Sequence, residues 1–166
     1  MSLTGKIVLV TGGTGSFGRK FSEIVLREQK PEKLIIFSRD ELKQHEMQGS
    51  GFDHPNIRYF IGDVRDRDRL GRAMNGVDVV VHAAAMKQVL ASEYNPIEAV
   101  KTNVFGAQNV IDAAIDTGVD KVMFISTDKA VNPINLYGAT KLCAEKLFVQ
   151  GNGYSGIEGT RFSCTR

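Results

Sequence analysis

Cysteine is scarce: the chain has two, Cys143 and Cys164, in 166 residues. That argues against a disulfide framework and for a reduced, cytoplasmic setting. Long apolar runs are missing as well. None approaches the ~20 residues that a membrane-spanning helix needs. The opening MSLTGKIVLV has no basic segment followed by a hydrophobic one, which argues against a signal peptide. An excess of one charge is also lacking, since 21 Lys+Arg against 19 Asp+Glu leave a net +2. With no basic stripe and no aromatic–basic interleaving, nucleic acid is not implied as a partner. No membrane association and no metal site are expected either. What is present suits a globular protein: 42% hydrophobic and 24% charged residues, enough for a single core. The length fits one domain, 1–166. Glycine is frequent, with 17 residues, and its positions matter more than its number.

Apolar runs alternate with helical patterns. Strands are predicted at 6–10, 33–37, 57–61, 77–82 and 121–125, and the start of a sixth at 160–164. Helices are predicted at 16–29, within 38–48, at 65–74, 96–117 and 136–150, with loops at 49–55 and 151–159. In the first helix Phe17, Phe21, Ile24 and Val25 form the apolar stripe. The strands are continuously apolar rather than alternating, as in a parallel sheet covered on both faces. The prediction is an α/β fold: a doubly wound, Rossmann-like parallel sheet in three α/β/α layers. The pattern stops inside the sixth strand, which reads as a chain truncated there.

The first strand runs into Thr11-Gly12-Gly13-Thr14-Gly15-Ser16-Phe17-Gly18. Glycines every third residue serve a sharp bend, a close backbone approach to a pyrophosphate, and tight packing of the next helix. That helix would offer free N–H groups to the anion. Spaced glycines alone are a weak signal, but these sit between a strand and a helix. The second strand ends Phe37-Ser38-Arg39-Asp40-Glu41-Leu42-Lys43. The Arg39 guanidinium suits a ribose 2′-phosphate, and Lys43 adds a second positive charge. Asp40 competes, because an acidic residue here holds the ribose diol of NAD. The reading favours NADP. The expected cofactor contacts are therefore Gly12, Thr14, Gly15, Ser16, Phe17 and Gly18, then Ser38, Arg39, Asp40, Glu41, Leu42 and Lys43. Asp63-Val64 follows the third strand, where such folds contact adenine. Ala83 and Ala84, after the fourth, are small enough for the backbone to approach the cofactor. His82 reads as a packed core histidine rather than a catalytic one.

After the fifth strand comes Ser126-Thr127-Asp128-Lys129, and then Tyr137 and Lys141. The last two are i, i+4 on a helix and share a face. A nearby ammonium and a cationic nicotinamide would lower the tyrosine pKa, letting the phenolate take a proton from a sugar hydroxyl while hydride leaves the same carbon. Tyr137 and Lys141 thus also count among the cofactor contacts.

With these motifs in place, the chain resembles the extended short-chain dehydrogenase/reductase superfamily over its whole length. The phrases TGGTGSFG, FSRDELKQ, FIGDVRD, HAAAMKQV, EYNPIEAVKTNVFGAQNV, STDKAVNPINLYGATK and TRFSC resemble soluble UDP-N-acetylglucosamine 4,6-dehydratases, those that invert C5 in particular. The resemblance implies an NADP-dependent lyase serving pseudaminic acid or related surface-glycan biosynthesis, and a homo-oligomer. It gives Tyr137 the 4-hydroxyl proton, with Thr127 bonded to the same oxygen. Lys129 becomes the base at C5, and Asp128 the acid at the 6-hydroxyl. A lysine base must be neutral, whereas Asp128 beside it favours the charged form, so the state of Lys129 stays open. Ala83, Lys87 and Lys129 would line the UDP-sugar site. The resemblance also implies a C-terminal substrate domain that this sequence does not include. Leu90 stands where the family usually has proline, which predicts a local loop change. The alternatives are a nucleotide-sugar C4 epimerase or reductase on the same scaffold, and a non-catalytic NADP-binding module.

Overall fold

The central strand β1 (Ile7–Thr11) has no polar alternation, and Val8, Leu9 and Val10 are wholly buried. That requires cover on both faces. In the computed structural model, which describes residues 2–166, β1 lies between β2 (Lys33–Ser38) and β4 (Val79–His82). With β3 (Ile57–Ile61), β5 (Lys121–Ile125) and β6 (Arg161–Thr165), the sheet runs in the order β3-β2-β1-β4-β5-β6. Every pairing is parallel. This is the doubly wound Rossmann-like order.

Two cores flank the sheet. One holds Leu9, Phe37, Leu70, Val80, Val110, Phe124 and Phe148, beneath α3 (Arg67–Met74), α6 (Gly106–Thr117) and α7 (Leu136–Ser155). The other holds Val8, Val10, Leu34, Ile36 and Met47, with Phe21 and Leu26 of α1 (Ser16–Glu28) packed on it. Met47 ends α2 (Glu41–Met47). Winding reverses between β1 and β4, where Thr11 pairs with His82. Ligands of such sheets bind in the crevice that opens there.

The structure corrects several sequence expectations. Phe17 does not join the buried stripe of α1. Burial there falls to Gly18, Ser22 and Val25, and Phe17 lies open at 43% exposure. The expected loop at 49–55 holds: the helical backbone of α2 gives way at Ser50 and Gly51, the latter at φ +94°. The helix predicted over 96–117 is α5 (Pro96–Val100), a π-helical turn at Lys101–Phe105, and α6. The sequence reading passed over α4 (Val89–Tyr94). Leu90 is in the first turn of α4 rather than in a loop. Proline is tolerated at that position, so leucine in its place disturbs little. Finally, α7 runs through Gly151 to Ser155, into the expected loop. A Cβ on Gly151 would lie 3.0 Å from the Phe162 ring, so the glycine lets α7 continue against β6.

Candidate active site

The turn after β1 is built by what its glycines omit. Gly12 has φ +67°, and a Cβ there would lie 2.8 Å from the Ala84 nitrogen. A Cβ on Gly18 would drive into the Gly13 backbone, so α1 starts hard against the loop. Gly15 caps α1 with no side-chain hydrogen bond, and the first turn carries no acidic residue. These are the conditions for holding an anion.

Above this turn is a cleft of about 490 Å³ at the strand ends. It is lined by Gly12, Thr14, Gly15, Ser16, Phe17 and Gly18 from the first turn, and by Ser38, Arg39, Asp40 and Lys43 after β2. Asp63 and Val64 join after β3, and Ala83, Ala84 and Lys87 after β4. Glu41 and Leu42 lie exposed on α2 and are not among the lining residues, and neither are Tyr137 and Lys141. Ala85, which extends the small-residue run of Ala83 and Ala84, lines the cleft as well, and so do Phe37, Gly62 and Thr102, which the sequence did not single out.

Charges at the β2–β3 end of the cleft are already engaged. Asp40 Oδ1 accepts from the Lys43 N–H at 3.0 Å, capping α2, and its carboxylate pairs with Lys43 Nζ at 3.1 Å. Those two contacts hold the Asp40 carboxyl below the usual range. Burial pushes the Asp63 carboxyl up, but hydrogen bonds from Arg65 outweigh it, and the net direction is down. Arg39, 66% exposed, reaches Asp63 at only 3.7 Å. Ser38 Oγ and Thr14 Oγ1 lie 3.0 Å apart.

The second constellation sits where β5 ends. Residues Asp128–Ala130 form a 3-10 turn. Thr127 Oγ1 donates to Asp128 Oδ1 at 2.9 Å, and Lys129 Nζ lies 3.3 Å from the same oxygen. These contacts, Thr127 first, hold the Asp128 carboxyl below its ordinary value. The turn rests on α7 beside Gly138, where a Cβ would collide with the Lys129 carbonyl oxygen. Asn135 caps α7 by accepting from the Gly138 N–H at 2.8 Å, and Glu93 of α4 accepts from the Leu136 N–H at 2.7 Å. Tyr137 is half-buried in that first turn. Lys141, one turn on, is 2% exposed; its Nζ donates to the Ile125 carbonyl at 2.7 Å and lies 3.9 Å from the Phe124 ring centroid. Burial pushes its amine down to about 8, against an opposing pull from Glu145.

His82 is 1% exposed and stacks on Phe124 and Phe148. Its Nδ1 is 2.6 Å from Thr11 Oγ1. Burial, aided by the Lys141 charge, pushes its pKa down to about 3. It is the packed core histidine that its apolar neighbours suggested.

Asn103, from the π-helical turn, went unnoticed in the sequence. Buried at 2%, it accepts from the Met86 N–H at 2.8 Å and donates to the Met86 carbonyl at 2.9 Å. It also donates to Thr140 Oγ1 at 3.0 Å, and Thr140 donates to the Tyr137 carbonyl at 2.8 Å. The segment after β4 is thereby tied to the helix of Tyr137.

The polysaccharide biosynthesis protein family matches residues 8–166. The chain belongs to that family. It is 60% identical over 161 residues, 97% of its length, to a UDP-N-acetylglucosamine 4,6-dehydratase (inverting) of Campylobacter jejuni, of which it covers 48%. It is 48% identical over 147 residues to a UDP-glucose 4-epimerase of Rickettsia massiliae, with 87% of this chain and 43% of that protein covered. Among solved structures it is similar to DesIV, a dTDP-glucose 4,6-dehydratase of Streptomyces venezuelae with NAD and TYD bound. That likeness has a TM-score of 0.81 and 27% identity, and covers 89% of this chain and 52% of the other. The chain spans about half the length of the curated relatives it matches. Within the family's fold, its two constellations lie at the C-terminal edge of one sheet. Among the described residues, no helix is long and apolar enough to cross a membrane.

Proposed function

We propose that the full-length protein is an NADP-dependent, cytoplasmic UDP-N-acetylglucosamine 4,6-dehydratase, inverting at C5, and that residues 1–166 are its cofactor-binding domain with the catalytic turn. The observation that carries this reading is the docking of the Asp128-Lys129 turn on Gly138, against the helix of Tyr137 and Lys141. An enzyme that changes only C4 needs no base at C5 and no acid at C6. The likeness to the Campylobacter enzyme supports the same reading.

The nicotinamide supplies a hydride acceptor that later returns the hydride. Tyr137 takes the proton of the 4-hydroxyl as hydride leaves C4. The 4-keto group then acidifies C5–H, and Lys129 takes that proton. Asp128 protonates the departing 6-hydroxyl, so that water leaves across C5–C6; a bound nicotinamide would supply the hydride for C6, and for inversion solvent would supply the C5 proton on the face opposite Lys129. The net change is loss of one water. Thr127 donates to Asp128 before substrate enters.

NADP is favoured over NAD because Arg39 stands free enough to take a phosphate while Asp40 is committed to capping α2. Ala83 and Lys87 lie on the sugar side of the cleft. Leu90, Tyr94, Ile97 and Phe105 are each exposed, and exposed large apolar side chains in this number support self-association. A C4 epimerase is the second reading, favoured by the likeness to the Rickettsia protein.

Product analysis of the full-length protein with UDP-N-acetylglucosamine tests these readings. A 6-deoxy-4-keto sugar with the cofactor regenerated is expected. A C4 epimer, or no conversion, overturns the proposal.

A further inference from the structure

Glu145 lies on α7 one turn beyond Lys141, with its side chain only 9% exposed. A carboxylate so nearly buried is costly unless its oxygens are bonded. Two residues satisfy it. Ser126 Oγ donates to Oε1, and Arg166 donates through Nε to Oε1 at 2.9 Å and through Nη2 to Oε2 at 2.7 Å. Both donors come from strand ends, Ser126 just past β5 and Arg166 just past β6. The ends are also joined to each other, the Ser126 N–H donating to the Thr165 carbonyl at 2.7 Å. Meanwhile Lys141 holds the Ile125 carbonyl. The helix thus grips two consecutive residues, Ile125 through Lys141 and Ser126 through Glu145, immediately before Thr127.

No step of the proposed chemistry uses the Glu145 carboxylate. We infer that Glu145 is a positioning residue: through Ser126 it sets the Thr127–Lys129 turn against the face of α7 that carries Tyr137 and Lys141. Arg166 supplies the counter-charge that keeps the carboxylate in place. Gly138 lets the far side of the turn approach α7, and Glu145 with Ser126 fixes the near side. The catalytic consequence rests on the dehydratase reading, whereas the fixing of the turn does not.

The test uses the full-length protein. Ser126→Ala cuts the link to the turn and leaves the Glu145–Arg166 pair intact, so the fold should survive. Glu145→Gln removes the charge at nearly constant shape. Misplacing reacting groups by about 1 Å costs on the order of a hundredfold. Each single variant should therefore lose about tenfold or more in kcat, while KM and cofactor Kd hold within about twofold. The double variant should lose less than the product of the two single losses, since both substitutions weaken the Ser126–Glu145 contact. Ser126→Thr keeps the hydroxyl and should recover most of the rate. Amide hydrogen exchange at 127–130 should quicken in Ser126→Ala and Glu145→Gln but not in β1. Unchanged kcat with unchanged exchange overturns the inference, and so do additive losses in the double variant or a parallel loss of cofactor affinity. If the wild type makes no 6-deoxy sugar, the dehydratase reading fails, and the exchange measurement alone decides whether Glu145 holds the turn.

Discussion

Gly138 in the first turn of α7 faces the carbonyl of Lys129 so closely that a Cβ on Gly138 would overlap that oxygen. The obstruction is backbone, so no side chain can rotate aside to relieve it. The glycine is what lets the turn with Asp128 and Lys129 rest on the helix that carries Tyr137.

Gly138→Ala is therefore expected to push the turn off α7. Alanine favours a helix by roughly 1 kcal/mol over glycine, but overpacking costs about 1–3 kcal/mol, so the net effect is a lower Tm. Dehydratase kcat should fall about tenfold or more. Cofactor affinity should hold, because the glycine turn after β1 is untouched. Steady-state kinetics, thermal melting and calorimetry on one preparation check all three. Undiminished kcat would mean that the docking does not matter to the chemistry.

Arg39→Ala tests the cofactor. A lost charge-assisted contact costs about 1.5–3 kcal/mol, so NADP should weaken about tenfold or more and NAD barely. Arg39 pairs with Asp63 at only 3.7 Å and is largely exposed, so the phosphate displaces little to reach it. Equal weakening of both cofactors by calorimetry would remove the basis for NADP preference.

Much of this was legible in the sequence, for identifiable reasons. Continuous apolar strands between helical patterns gave the doubly wound sheet, because burial on both faces leaves no room for alternation. Gly12 and Gly18 were legible because their spacing reflects a backbone conformation and a contact that side chains forbid. Other features depend on partners far along the chain. Asn103 and Glu145 are ordinary polar residues until the fold brings Met86 to one and Ser126 and Arg166 to the other. Helix ends failed where packing overrode punctuation. Gly151 looks like a stop signal, yet it continues α7 because Phe162 needs the space. Phe17 fitted the apolar stripe by spacing but stands at the mouth of the cleft.

Lys141 makes a prediction about pH. Its folded pKa is lowered from 10.5 to about 8, chiefly by burial. A lysine with a depressed pKa costs stability while the folded state must hold it charged. That cost is complete below about pH 8 and is relieved as pH rises toward 10.5. The shift corresponds to about 3 kcal/mol. Lys141→Met escapes this cost but orphans the Ile125 carbonyl, at about 1–3 kcal/mol. At neutral pH the variant should be about as stable as the wild type, or more so. Its relative stability should then decline by about 3 kcal/mol as pH rises through that window. Denaturant melts of both proteins across the window check the slope, and a flat difference would mean that Lys141 is not buried as a charge.

The order of chemistry separates Tyr137 from the turn. On the proposed dehydratase reading, Tyr137 serves the first oxidation, whereas Asp128 and Lys129 serve only the elimination that follows. Removing a general acid or base costs about 10²–10⁴-fold. Tyr137→Phe in the full-length protein should therefore block every step, including hydride transfer to the cofactor. Lys129→Met should spare that transfer. Mixed with excess UDP-N-acetylglucosamine, it should accumulate NADPH absorbance without a 6-deoxy product and without exchange of the C5 hydrogen with solvent. Asp128→Asn should also accumulate NADPH while still exchanging C5–H, since its base remains. Lys129 lies within 3.3 Å of Asp128, so each substitution also changes the other's surroundings. Solvent deuterium at C5, rather than rate alone, distinguishes them. If Lys129→Met exchanged C5–H as fast as the wild type, the base would have to be another residue, and the turn would keep only its acid.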